Sequence, residues 1–172
     1  MSVEDLSQYD KVIIPSVQGY EFNAGMEDHN WWLEAWLNTG SGRILEYHGA
    51  TWSGDHTPFA PRPGGWSIGT YGWYHNLPQM PGYFTFTPHA LLTTPYPILE
   101  TNSLVSGEPM ATWPVGAETI ITRTSDGAPA LMRWDFGAGE VIATTMAVEW
   151  IRYEDDNFGP GYTNTMLLDN LV

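Results

Sequence analysis

The stretch KVIIPSVQGYEFNAGMEDHNWWLEAWLNTGSGRILEY, residues 11–47, decides the fold. Its opening run, Lys11 to Val17, is apolar and β-branched between polar neighbours, the pattern of a buried strand. A loop from Gln18 to Gly25 follows. From Met26 to Leu37 the spacing predicts a helix. Trp32, Leu33, Trp36 and Leu37 fall on one face, and Glu27 and Asp28 lie at the end where the helix dipole favours negative charge. Gly40 and Gly42 supply the stop. Arg43 to Tyr47 is a second strand, running into His48, Gly49 and Ala50. Strand, helix, strand with short Gly-rich joints is a βαβ unit, whose two strands are expected to lie parallel.

Beyond that unit, from Thr51 to Pro114, Pro and Gly recur in PFAPRPGGW, NLPQMPGY and TTPYPIL and interrupt any long element, so a long loop-rich insertion is expected. Within it Tyr83 to Thr87 alternates as a half-buried strand, and Pro97 to Leu104 reads as a short helical turn. Order returns with Thr119 to Arg123, Ala130 to Phe136 and Val141 to Ala147, separated by the turn signals SDGAP and GAG. These predict a C-terminal β-meander. A polar EDDNFGPG loop then leads to a terminal helix over Tyr162 to Leu171, with Met166, Leu167 and Leu171 on its apolar face. The whole chain, residues 1–172, reads as a single α/β domain with no internal repeat.

Composition narrows the function classes. Hydrophobic residues make up 42% and aromatics 14%, with nine Trp and nine Tyr, enough for one cooperative core and against disorder. Six basic and twenty acidic side chains give a formal charge of −14, and Lys11 is the single lysine. That leaves no basic footprint for nucleic acid or an anionic membrane. Divalent cations and neutral polar ligands such as sugars suit an acidic, aromatic-rich surface better. The lack of cysteine excludes disulfides, thiolate metal sites and cysteine nucleophiles. The acidic start MSVEDLSQYD lacks the basic and apolar regions of a signal peptide, and no apolar run approaches 18 residues. A soluble protein is expected, its compartment left open.

YDKVIIPS, the acidic Trp-rich helix, NTGSGRILEYHGATW, then APALMRWDFGAGEVIATTMAVEW and a terminal LLDNL helix follow a recognisable order. The chain resembles the class I glutamine amidotransferase-like superfamily, nearest its ThuA-like branch. Gly40 to Thr51 and Gly137 to Ile142 carry the resemblance, which covers about half the chain. It implies a flavodoxin-like core, a mainly parallel sheet flanked by helices. Two departures accompany it. Where an amidotransferase proper carries its nucleophilic Cys, this chain has His48, Gly49, Ala50 and Thr51, so glutaminase chemistry of that type is excluded. Only ten residues precede Lys11, where the family is expected to have further βα units. Either the chain is a fragment of a longer protein or something else completes the sheet. A bare edge at Lys11–Val17 would then be covered by another copy of the chain or another domain.

Three groups of residues are candidate sites. His48, Thr51, Trp52, Asp55 and His56 follow the carboxyl end of a strand, where α/β sheets gather ligands. His48, Asp55 and His56 have the donors for one divalent cation, Ca or Zn, or for a base and its orienting partner, and Glu149 projects into the same cleft if the sheet is parallel there. The plainer reading is a strand cap followed by a solvated turn. Trp66, Tyr71, Trp73, Tyr74 and His75 lie in GGWSIGTYGWYHN, where exposed rings make a platform for a saccharide, and buried rings make a lid over the core. Asp155, Asn157 and Gly159 have the alternate spacing of a calcium loop without its downstream Glu, or form a solvated acidic loop.

The expected function is a non-catalytic amidotransferase-like module for binding or assembly in a carbohydrate-related context. The alternative, by resemblance, is a ThuA-like enzyme, a hydrolase or isomerase acting on a sugar or sugar derivative through His48, Asp55 and His56.

Overall fold

The computed structural model describes residues 6–15, 22, 25, 26, 28–48, 65, 67, 68, 84–98, 110–146, 170 and 171. The strands are β1 (Lys11–Ile14), β2 (Ile44–His48), β3 (Ser67–Ile68), β4 (Phe84–Phe86), β5 (Met110–Thr112), β6 (Glu118–Arg123), β7 (Pro129–Phe136) and β8 (Gly139–Thr144). Helix α1 spans Asn30–Thr39, and a 3-10 turn spans Ala90–Leu92. Six strands form one sheet in the order β1-β2-β8-β7-β6-β4, while β3 and β5 pair separately in the loop-rich middle of the chain.

The βαβ expectation holds: β1 and β2 are parallel, with Lys11 opposite Ile44 and Ile14 opposite Tyr47. The meander holds as well, since β6, β7 and β8 are antiparallel neighbours. β4 falls within the expected strand Tyr83 to Thr87 and pairs antiparallel with β6. The expectation of a mainly parallel sheet needs correction. β1-β2 and β2-β8 are parallel, but β8-β7, β7-β6 and β6-β4 are antiparallel, so the sheet is mixed. The cause is local: Gly127 and Gly137 adopt positive φ, 71° and 61°, and turn the chain back at once, leaving no length for a crossover helix. Of the expected turn at Pro97 to Leu104 only Pro97 and Ile98 lie among the described residues, and neither is helical; a separate 3-10 turn lies earlier, at Ala90–Leu92. Of the terminal helix only Asn170 and Leu171 lie among the described residues, and both are helical.

Helix α1 begins later than its periodicity suggested. Met26 and Asp28 are helical, but His29 sits at φ −112°, ψ 9°, and α1 starts after it. Leu33, Trp36 and Leu37 are buried, as their spacing requires. At the other end Gly40 is extended and Arg43 folds back. Its guanidinium donates to the Trp36 carbonyl at 2.5 Å and to Thr39 Oγ1 at 2.8 Å, while Thr39 Oγ1 donates to the same carbonyl at 3.1 Å. A last-turn carbonyl without an intrahelical partner is thus satisfied by a cation at the favourable end of the dipole.

Both faces of the sheet are covered by packed side chains, which is why β2 and β8 are buried almost throughout. On one face Leu45, Tyr47, Val141, Ala143, Met132 and Trp134 pack beneath Leu33, Trp36 and Leu37 of α1. On the other, Ile121, Leu131 and Ile142 pack with Phe84, Leu92, Ile98, Met146 and Leu171, and Ile44 lies at the margin. Asn170 ties the cover of this second face together. It donates to the carbonyls of Leu91 and Tyr96 at 2.8 Å each and accepts from the Tyr96 N–H at 2.9 Å.

Candidate functional site

Side chains alternate along a strand, so the register decides which polar groups meet. Lys11 lies opposite Ile44, Ile44 opposite Glu140, Glu46 opposite Ile142, and His48 opposite Thr144. Across β7, Arg133 lies opposite Ile142 and Asp135 opposite Glu140. Lys11, Glu46, His48, Arg133 and Glu140 therefore share the face away from α1, as a polar stripe among the Ile and Leu side chains.

Glu46 is its centre. Its side chain has no solvent exposure, and Oε1 accepts from Lys11 Nζ at 2.7 Å. The same ammonium donates to the Leu171 carbonyl at 2.6 Å. Glu46 Oε2 lies 3.7 Å from His48 Nε2 and makes no hydrogen bond. His48 is itself buried at the carboxyl end of β2, beside the parallel β8. A small shift that closed this 3.7 Å gap to hydrogen-bond length would let the buried carboxylate orient the imidazole.

Arg133 forms the second half of the stripe. It donates to Glu140 Oε2 at 3.0 Å and Asp135 Oδ1 at 3.3 Å, with Glu118 Oε2 3.6 Å from the guanidinium. Its Nε is buried without a hydrogen-bond partner. His89 turns Nδ1 inward to accept from the Leu91 N–H at 3.1 Å, capping the 3-10 turn, and leaves Nε2 4.0 Å from Glu118 Oε2. Between these groups is a cleft of about 300 Å³ lined by Lys11, Ile44, Glu46, His89–Leu91, Arg133, Glu140, Ile142 and Asn170–Leu171. On the far side of the sheet burial alone pushes the Tyr47 phenol well above the ordinary tyrosine range.

Of the sequence-derived candidates, the structure describes His48 alone. Thr51, Trp52, Asp55, His56, Trp66, Tyr71, Trp73, Tyr74, His75, Glu149, Asp155, Asn157 and Gly159 lie outside the described residues. Among the described residues no three His, Asp or Glu side chains gather as a metal site. None of them forms a helix long and apolar enough to cross a membrane. Sequence reasoning missed Glu46, Arg133, Glu140 and Asn170. A signal for Glu46 was present, for a carboxylate in the middle of ILEYH contradicts a strand buried on both faces unless a cation reaches it, and Lys11 is the sole lysine.

No family model and no curated protein matches this chain. Solved structures do share its fold. An exo-β-1,4-mannosidase, Op5Man5, from Opitutaceae bacterium strain TAV5 is 20% identical, with a TM-score of 0.53 over 96% of this chain and 25% of its own. Cytoplasmic Protein STM1381 from Salmonella typhimurium LT2 is 15% identical, with a TM-score of 0.57 over 95% of this chain and 69% of its own. Cytoplasmic Protein STM3548 from Salmonella typhimurium is 16% identical, with a TM-score of 0.52, over 99% and 73%. The chain thus spans a quarter of the mannosidase and over two thirds of each cytoplasmic protein. At these identities the likeness concerns the fold.

Proposed function

We propose that this chain is a non-catalytic, amidotransferase-like module, nearest the ThuA-like branch, that assembles with itself or another domain through the β1 edge in a carbohydrate-related protein. The observation that carries the reading is the position of β1 at the end of the six-stranded sheet. The Ile44 N–H donates to the Asp10 carbonyl at 2.9 Å, which sets the direction of the β1 backbone groups. With Lys11 opposite Ile44, Asp10 and Val12 turn toward β2, so the Ile13 N–H and C=O turn away from it. Such an edge is a template for another strand.

The parallel set β1-β2-β8, with α1 on one face, is the portion that agrees with a flavodoxin-like core; the antiparallel β7, β6 and β4 extend it. Similarity to one quarter of an exo-mannosidase supports a module within a larger carbohydrate-active protein. The formal charge of −14 argues for a protein or sugar partner and against nucleic acid. Native mass spectrometry at low and high concentration tests the assembly. We expect self-association that Ile13→Pro abolishes while leaving a folded monomer, because proline removes only an outward N–H. A wild-type chain that stays monomeric at every concentration, with its Ile13 amide protected from hydrogen exchange, would sink the reading.

A second reading, a ThuA-like enzyme acting on a sugar derivative, is favoured by the Glu46–His48 pair at the carboxyl end of β2. His48 would act as base or metal ligand with Asp55 and His56, and Glu46 would orient it. Stoichiometric Zn or Ca in protein purified without chelator, lost in His48→Ala, supports this reading; its absence rejects the metal-assisted form.

A further inference from the structure

We propose that the cleft between the β1-β2-β8-β7 sheet and the Ala90–Leu92 turn is a saccharide site that takes one neutral sugar ring. The proposal rests on the carbohydrate context above and is independent of assembly through β1. A volume of about 300 Å³ lies at the lower end for small-molecule sites, which suits one ring rather than an oligosaccharide. Ile44, Ile142, Leu91 and Leu171 give the cleft an apolar wall against which the C–H face of a sugar packs. Lys11, Glu46, Arg133 and Glu140 give it a polar wall.

The polar wall selects hydroxyls over ions. Lys11 is paired with Glu46, and Arg133 with Glu140, Asp135 and Glu118, so neither cation on the wall is left without a counter-charge. An anion or a cation therefore gains little, whereas a hydroxyl both donates to a carboxylate and accepts from an N–H. Two of the residues that line the cleft each hold a buried atom without a hydrogen bond, one of each kind: Glu46 Oε2 is an acceptor and Arg133 Nε a donor. Buried polar groups in native proteins are seldom left so, and two on one cleft call for an explanation. Small shifts of the Glu46 and Arg133 side chains would turn these atoms to the cleft, where sugar hydroxyls would supply both the missing donor and the missing acceptor. The wall is also fixed in advance, since Lys11 holds the Leu171 carbonyl and Asn170 holds those of Leu91 and Tyr96.

The test is ligand-observed saturation-transfer NMR on the full chain with D-mannose, D-glucose and D-galactose as probes, repeated on Ala90→Trp and Glu140→Gln. Ala90 lines the cleft yet is exposed, so Trp fills the space without entering the core. We expect transfer to at least one hexose, lost in Ala90→Trp, and affinity about tenfold weaker in Glu140→Gln, the effect of losing a charge-assisted hydrogen bond. No transfer to any of the three sugars overturns the proposal. Transfer unchanged by Ala90→Trp also overturns it, by locating the sugar elsewhere; should that variant fail to fold, unchanged affinity in Glu140→Gln does so instead. The two proposals fail separately: self-association without hexose binding removes the cleft and keeps the module, and hexose binding by a strict monomer does the reverse.

Discussion

Replacing Lys11 by Met is expected to destabilise the chain by about 3 kcal/mol, near the lower end of the roughly 3–5 kcal/mol seen when one partner of a buried ion pair is removed. The reasoning starts from Glu46, whose carboxylate is fully buried and whose Oε1 accepts from Lys11 at 2.7 Å. With that cation gone the charge is left buried and uncompensated. The lower end applies because the Lys11 side chain is 29% exposed, so water takes over part of its role. Met keeps the length of the aliphatic stem, which isolates the charge from the packing. For a domain of this size the loss corresponds to a fall in Tm of about 6–12 °C. Equilibrium unfolding in urea, followed by Trp fluorescence and circular dichroism, measures it. The double variant Lys11→Met with Glu46→Met provides the control. It should return to within about 1 kcal/mol of wild type, since an apolar pair can replace a buried ion pair. A Lys11→Met variant within about 0.5 kcal/mol of wild type would refute the argument, showing that the Glu46 charge does not depend on Lys11.

Further outcomes follow from packing and titration. A Cβ on Gly139 would lie 2.8 Å from the Arg43 carbonyl oxygen and from Leu37 Cδ2, so Gly139→Ala should cost about 1–3 kcal/mol in the same unfolding assay. At Gly40 the atoms nearest an added Cβ belong to the Arg43 side chain, which can shift at the cost of its bonds to Trp36 and Thr39, and the loss should be smaller; equal losses would defeat the distinction. Trp36 is fully buried and Trp31 is 59% exposed, so Trp36→Ala should cost about 3–5 kcal/mol and Trp31→Ala less than about 0.5 kcal/mol, both read from urea midpoints. Burial raises the Tyr47 phenol, so in the folded chain it keeps its proton where the unfolded chain loses it. The stability this confers is complete below pH about 10 and declines above it, by at most about 1.4 kcal/mol per pH unit for one proton. Tyr47→Phe should flatten that decline, and parallel stability curves above pH 10 would exclude the effect.

Much of this architecture is legible along the chain because it depends on neighbours in sequence. The β-branched run after Lys11, the two-turn spacing of Trp32, Leu33, Trp36 and Leu37, and the GAG turn each specify one element by local sterics and periodicity. Where the reading slipped, the determinant was not local. His29 separates the helical residues before it from α1, although the hydrophobic period runs through it. The family resemblance implies a mainly parallel sheet, yet the closing strands turn back at Gly127 and Gly137. The turn signals in SDGAP and GAG already specify that reversal, because each closes a hairpin locally.

The candidate site was less legible for the same reason. His48 could be singled out because it ends a strand that reads clearly, and the structure places it there, buried. Glu46, two residues earlier, carries the more telling chemistry, but its meaning depends on Lys11, 35 positions away, and on the alternation that brings both to one face. Arg133 and Glu140 are likewise joined only across the β7-β8 ladder, and Asn170 reaches Leu91 and Tyr96 over more than seventy residues.

By itself the sequence determined the βαβ opening, the closing meander, the acidic charge and the lack of any thiol chemistry. These follow from periodicity, turn stereochemistry and composition, which are properties of short segments or of the whole tally. Only the tertiary structure decided that the sheet is mixed, that β1 ends it among the described residues, and that Lys11, Glu46, Arg133 and Glu140 share one cleft. Strand order and register bring distant residues within bonding distance, and a buried charge is tolerable only where the register delivers its partner.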